Sequence, residues 1–342
     1  MAFDTEGLEV QLDSLWDEEK DVLSLSTRGN KYVIISDMHM GNGEKADDFR
    51  KNKDAVVRAF NYYKDEGYSL ILLGDAEELW QFTADEVAKT YGDSVYESIR
   101  AFGDDKVCRV FGNHDLDWKT IDPIRTKPSN RYDVYEGIKL KDANGDPKIL
   151  LIHGHQGTKD SDKNSFFSRA AVMIYRYLEP FVKVDKATEA PRSTILKSFE
   201  KERFNWAKKK NVILICGHTH RAVFNSKSKI DINKNKIKEL RNRLLTNSES
   251  LPERGRIMVQ IDKLNDEISR ERKLGREFQS LGQHPPPHYF NTGCALYTDG
   301  ITVLEIASNR IKLVKWHRKV SEGSMYSVYE EDSLSDIVNR LA

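Results

Sequence analysis

The chain has 342 residues, 39% hydrophobic and 32% charged, with 54 basic side chains matched by 54 acidic ones. That length allows a sizeable core, as one elaborated domain or one domain with a cap. Zero formal charge excludes a global nucleic-acid or membrane-surface signature.

Residues 1–6 carry neither the basic nor the apolar stretch of a signal peptide. No apolar run approaches the ~20 residues that cross a bilayer. Cys108, Cys216 and Cys294 are odd in number, and two fall in predicted strands, so buried thiols in a reducing cytoplasm are expected. Residues 1–30 read as an acidic leader whose Leu8, Leu12, Leu15 and Trp16 form one helical stripe, suited to packing on the core or on a partner.

A βαβ rhythm follows. Strands are predicted over 32–35, 70–73, 107–111, 149–152 and 212–216, each a short run rich in Val, Ile and Leu. Between the first two, a helix over 46–65 carries Val56, Val57, Phe60 and Tyr63 on one side and stops at Gly67. A second helix is expected over 85–102, with Glu78 and Trp80 assigned to the helical segment after the second strand. Residues 157–210 read as mostly helical and cap-like, dense in apolar side chains from Phe166 to Leu178 and punctuated by Pro180 and Pro191.

From 227 to 283 runs an insertion. Ile237, Leu240 and Leu244, then Ile257, Ile261, Leu264 and Ile268, recur by threes and fours, which predicts a helical hairpin or short coiled coil ended by Pro285-Pro286-Pro287. From Arg221 to Gln283 there are 15 Lys/Arg and 9 Asp/Glu, a surplus of six. A solvated arm, a homodimerisation arm and a cap or nucleic-acid-facing arm remain open, and the absence of aromatics between Lys227 and Arg276 weakens a single-strand stacking role. Strands over 288–291, 301–306 and 310–316 complete a core of 31–226 and 284–320, and 321–342 is read as a helical tail.

Five motifs stand where the first five strands end: Asp37-Met38-His39, Gly74-Asp75, Gly112-Asn113-His114-Asp115, His153-Gly154-His155 and Gly217-His218-Thr219-His220. In open α/β sheets ligands bind beyond the carboxyl ends of the strands, so these motifs deliver seven metal-competent side chains to one edge. Two divalent ions roughly 3.5–4 Å apart clamp an in-line displacement at phosphorus and need an anionic bridge, for which Asp75 is the short, rigid choice. Imidazoles with carboxylate and amide oxygens suit Mn first, with Fe, Zn, Co or Ni compatible. No thiolate joins the motifs, which argues against a structural zinc site.

The combination resembles the calcineurin-like metallophosphoesterase superfamily over roughly residues 31–318. The resemblance implies a four-layer α/β/β/α sandwich with helical insertions and a dinuclear centre. One metal would be held by Asp37, His39, His220 and the bridging Asp75, the other by Asp75, Asn113, His153 and His218. Glu78 and Trp80, three and five residues after Asp75, the helical stretch after His153, and Tyr289-Phe290-Asn291-Thr292-Gly293 are similar to the bacterial UDP-2,3-diacylglucosamine pyrophosphohydrolases. The chain departs from that branch in having His155 for Asp, His114 where its lipid A members often have Arg, and the long insertion. Its lipid substrate is therefore not carried over.

The expected chemistry is hydrolysis of a phosphate ester or nucleotide-linked pyrophosphate by a metal-bridging hydroxide, with a phosphorylated small molecule or nucleotide as substrate. His114 is assigned as general acid, with Asp115 fixing its tautomer. His155 is either an outer or phosphate-binding group or an incidental loop histidine. Lys163, Arg169 and Arg176 are candidates for a second phosphate. Two alternatives stand beside this reading: a nuclease or nucleic-acid phosphatase guided by the basic arm, and a non-catalytic metal-binding scaffold.

Overall fold

Short Val/Ile/Leu runs that are apolar on both faces suit parallel strands covered on both sides. Three such strands lie side by side, β2 (Tyr32–Ile35), β3 (Ser69–Leu73) and β4 (Val107–Val110), and the two-residue β5 (Val134–Tyr135) pairs in parallel at their edge. Antiparallel β12 (Gly300–Ala307), β13 (Arg310–Ser321) and β14 (Ser324–Ser333) extend them into a seven-stranded sheet ordered β14-β13-β12-β2-β3-β4-β5. The second sheet is ordered β1-β6-β7-β8-β11-β9-β10. Its strands are β1 (Val22–Ser26), β6 (Gly137–Lys141), β7 (Pro147–Ile152), β8 (Ile213–Cys216), β9 (Ala222–Phe224), β10 (Lys227–Ser228) and β11 (Tyr289–Thr292). The computed structural model describes residues 5–17, 21–119, 134–142, 144–157, 189–246, 250–273, 286–321 and 324–341.

Alternation along the strands sorts the core into layers. Val33, Ile35, Leu70 and Leu72 face α2 (Lys53–Asp65), α3 (Ala84–Tyr91) and α4 (Val95–Arg100), packing with Phe60, Val87 and Ile99. Ile34, Ile71, Leu73 and Val110 point the other way and meet Ile138, Ile149, Leu151, Ile213 and Ile215 between the sheets. Leu150, Ile152, Leu214 and Cys216 face outward under α1 (Thr5–Asp17) and α5 (Glu189–Lys210), through Leu8, Leu12, Leu15, Phe204 and Trp206. The result is a four-layer α/β/β/α sandwich.

Several local expectations change. Of the two packings left open for the leader, the one on the core is seen: its leucine stripe packs on the second sheet and β1 pairs in parallel with β6. The helix expected from 46 begins at Lys53, because the Asp47 carboxylate accepts the Gly43 N–H and holds the preceding loop. The helix expected over 85–102 is two, interrupted at 92–94, where Ser94 is far from helical dihedrals (φ −137°, ψ −88°). Glu78 and Trp80 lie in a turn before α3. The tail expected as helical is a strand over 324–333, paired with β13, before the short α8 (Leu334–Asn339). Of the 157–210 segment, residues 158–188 lie outside the described residues, with Lys163, Arg169 and Arg176 among them.

The insertion forms α6 (Lys229–Leu245) and α7 (Leu251–Lys273), packed through Ile237, Leu240, Ile257, Ile261 and Ile268. Ser228 and Asp231 form a capping box at its start. The first turns are not free of the core: Ile232 is buried between the sheets and Lys236 pairs with Glu330 of β14. The three cysteines carry free thiols. No helix among the described residues is long and apolar enough to cross a membrane.

Candidate metal centre

The strand ends deliver the five motifs to one edge, and backbone bonds stitch the loops together. The Asp37 N–H donates to the Gly74 carbonyl (3.1 Å), His39 N–H to that of Asp75 (2.9 Å), and Gly217 N–H to that of His153 (2.9 Å). Asp37, His39, Asp75, His218 and His220 all adopt left-handed backbone, with φ between 48° and 67°. A non-glycine residue there costs roughly 1 kcal/mol or more, so five of the seven expected ligands are held in conformations the local chain disfavours. Two glycines serve close approach: a Cβ at Gly112 would strike the Asp75 carboxylate, and one at Gly217 would strike Ser36 and the Asp37 carboxylate.

Three overlapping clusters result among the described residues. The ligand atoms of Asp37, His39 and His220 lie within 4.8 Å of one another, as do those of Asp75, His153 and His218, and those of His39, Asp75 and His114. The Nε2 atoms of His39 and His220 face each other at 3.1 Å. Asp75 Oδ2 lies 3.7 Å from His39 Nε2 and 3.0 Å from His153 Nε2, between the first two of these groups. Ring tautomers follow from the opposite nitrogens: His153 Nδ1 donates to the Leu73 carbonyl (2.9 Å) and His39 Nδ1 meets Glu78 Oε2 (2.9 Å), so both Nε2 atoms are turned to the site.

The electrostatics are those of a pair of buried anions whose ion-pair partners, among the described residues, are imidazoles. Burial pushes the Asp37 and Asp75 carboxyls up, but the surrounding histidines hold both well below the usual carboxylate range. Burial opposes charge on His153, yet Asp75 and Asp37 lift it to about 9. His218 goes the other way, pushed well down by burial and by His153.

A metal fits these residues on observations of the chain itself. The buried Asn113 Oδ1 has no hydrogen-bond partner, a costly state for a polar atom unless something else meets it. Among the described residues, every ion pair of Asp37 and Asp75 is with a histidine. Neutral imidazoles, carboxylates and an amide oxygen suit a divalent transition ion.

A family model for calcineurin-like phosphoesterases matches residues 31–222, which span all five motifs. The chain belongs to this family. It is a metal-dependent phosphoric ester hydrolase, and the clustered Asp and His side chains are where such an enzyme needs them. A search of curated proteins gives no match.

Within this phosphoesterase the general-acid candidate has a different partner from the one expected. His114 Nδ1 meets Glu78 Oε1 (2.8 Å), while the other oxygen of Glu78 reaches His39. Burial raises the Glu78 carboxyl, but the bonds from His114 and His39 bring it down to about 2. Asp115 turns away: its carboxylate accepts the Gly112 N–H (2.6 Å) and the Ala76 N–H (2.8 Å), pinning the second motif to the third. Two backbone amides facing one short carboxylate leave it no reach to the imidazole. The signal for Glu78 was its spacing from Asp75; nothing local said that it would bridge two histidines.

Trp80 completes the mount. Its indole stacks on His114 (4.0 Å between centroids, 21° between planes) and donates to the Asn113 carbonyl (2.8 Å). His155 is buried behind His153, its ring 5.7 Å from it, and joins none of the three clusters. Asn291-Thr292-Gly293 does return to the edge: Thr292 Oγ1 bonds Ser36 Oγ (2.6 Å), and Asn291 Nδ2 donates to the Gly217 carbonyl (2.6 Å).

Proposed function

We propose that this phosphoesterase holds two divalent cations, manganese first, and hydrolyses a phosphate ester or a nucleotide-linked pyrophosphate. Asp37, His39 and His220 would hold one ion, Asn113, His153 and His218 the other, with Asp75 shared. The observation that carries the reading is the position of Asp75 Oδ2 between His39 and His153.

When bound, the cations would supply positive charge to the phosphoryl oxygens and acidify a water. The chain's own residues do the rest. Glu78 holds His114 by Nδ1, leaving Nε2 to give a proton to the departing oxygen as its bond to phosphorus breaks. Trp80 keeps the ring in plane, and Asp115 keeps the loops in register. The Glu78 and Trp80 positions also support the pyrophosphohydrolase-like branch as the nearest in motif, without its lipid substrate.

A second reading, a nuclease guided by the arm, rests on one flank of α6. Lys234, Lys238 and Arg241 recur there at i, i+4 and i+7, with Arg272 of α7 lining the same groove. Binding of DNA that falls steeply with salt would favour it.

The test adds Mn, Fe, Zn or Mg to metal-free protein and assays phosphomonoesters, phosphodiesters and pyrophosphates. Two equivalents of metal at full activity are expected. Saturation at one equivalent would refute the shared-Asp75 arrangement.

A further inference from the structure

The motifs of the edge account for the ligands but not for what keeps the two histidine turns in place. His218 and His220 both sit in left-handed backbone (φ 67° and 57°). Thr219, between them, and Arg221, just after, share one carboxylate: Thr219 Oγ1 donates to Glu200 Oε1 (2.6 Å) and the Arg221 guanidinium pairs with the other oxygen. Glu200 is completely buried and Arg221 nearly so. Removing one partner from such a pair leaves an uncompensated buried charge.

One turn further along α5, Arg203 does the same for the other turn. Its buried guanidinium donates to the Gly154 and Gln156 carbonyls, on either side of His155 and directly after His153. It also lies 3.6 Å over the Phe199 ring, which in turn meets the His218 ring at 5.3 Å and 33°. Guanidinium, phenyl and imidazole thus form a file that limits rotation of His218. Thr219 is braced from the opposite side by Asn291 Nδ2 (3.2 Å).

We infer that α5 is a positioning helix for the metal centre, with Glu200 setting the His218–His220 turn and Arg203 setting the His153–His155 turn. Glu200 and Arg203 act by holding backbone, and Phe199 by holding one ring, where the ligands need them. Outer partners of this kind typically govern cation affinity by about 10–100-fold. The inference rests on the assignment of His153, His218 and His220 as ligands.

The experiment titrates full-length, metal-free protein with Mn²⁺, following free Mn²⁺ by electron paramagnetic resonance. The thermal midpoint of the metal-free protein and the rate at saturating Mn²⁺ are measured alongside. Glu200→Gln and Arg203→Met are expected to weaken Mn²⁺ binding about 10–100-fold, with a much smaller change in saturated rate. Thr219→Val, which removes only a hydroxyl, is the milder probe should Glu200→Gln not fold, and a several-fold weakening is expected. Tyr63→Phe is the control: it cuts a buried bond to Glu305 (2.6 Å) in the layer of α2, and should lower the midpoint with Mn²⁺ affinity intact. Unchanged affinity in the α5 and Thr219 variants, or losses that merely follow the midpoint as in Tyr63→Phe, overturns the positioning role. Asp75→Asn separates the two levels. If it abolishes binding while the α5 variants bind normally, only the positioning role fails; if it binds Mn²⁺ like the native chain, the ligand assignment fails and takes this inference with it.

Discussion

The metal-bearing edge and the α6–α7 arm are both dense in charge, and they use it in opposite ways. At the edge each charged group is buried and has several fixed partners: Glu78 bridges two histidines, Asp115 two backbone amides, Glu200 a threonine and an arginine. On the arm, Glu253 meets Arg256 at 3.4 Å and Arg243 at 3.8 Å, with the Arg256 side chain 79% exposed. Exposed pairs contribute about 0–1 kcal/mol, whereas removing one partner of a buried pair costs about 3–5 kcal/mol. Composition counts both regions as charged; burial decides which one is chemistry and which is solubility.

The sharpest way to break this contrast is at its centre. Asp75→Asn should lose metal and activity together, beyond the ~100-fold that outer partners cost, with the fold retained. Metal analysis of the purified variant checks it, and two retained equivalents would count against the bridge.

Next in size is the proposed acid. His114→Ala should keep the metals and slow hydrolysis of alkyl esters by about 10²–10⁴-fold, with little effect on an aryl ester whose leaving group needs no proton. Glu78→Gln should reproduce part of that pattern. Asp115→Asn should instead lower the thermal midpoint and leave the alkyl-to-aryl ratio alone. A changed ratio in Asp115→Asn would restore the role that Glu78 has taken from it.

A pH series gives a smaller, graded effect. His153 is raised from its ordinary 6.5 to about 9 in the metal-free protein. Its protonated form therefore stabilises the metal-free fold fully below pH 6.5, and that contribution is lost as pH rises through about 9. A cation must displace this proton, so apparent affinity should climb by up to about tenfold per pH unit from 6.5 to 9, with proton release on binding. Calorimetry in buffers of different ionisation heat would show it; a flat profile would place the proton elsewhere.

The smallest effects belong to the arm. Replacing Leu240 to Ile268 with a Gly/Ser linker should leave metal binding and aryl phosphate hydrolysis within about twofold. Glu253→Ala should change stability by less than about 0.5 kcal/mol. The cut must spare the start of α6, since Ser228 caps it and Ile232 is part of the inter-sheet core. Sedimentation of the shortened protein also tests a dimer through the arm, which would appear as a shift to monomer.

What could be read from the chain alone was whatever depends on neighbours a few residues apart. Strands at 32–35, 70–73 and 149–152 declare themselves by apolar runs of strand length, and the motifs stand immediately after them, so the family and the residues that cluster at the strand ends were legible from the order of residues. The α6–α7 seam was legible for the same reason, as a periodicity. Only the tertiary structure decided who holds what. Glu78 reaches His114 across 36 residues and His39 across 39, while Asp115, adjacent to His114, turns to the Gly112 amide of its own loop and the Ala76 amide of another. Glu200 and Arg203 reach the histidine turns from a helix that no motif marks. Residues 324–333 became a strand because β13 offered an edge to pair with, and α1 packed because the second sheet had an apolar face to cover. A strand or a helix stripe is fixed by local backbone and side-chain periodicity, but the partner of a buried polar group is fixed by distance through space, which the order of residues does not contain.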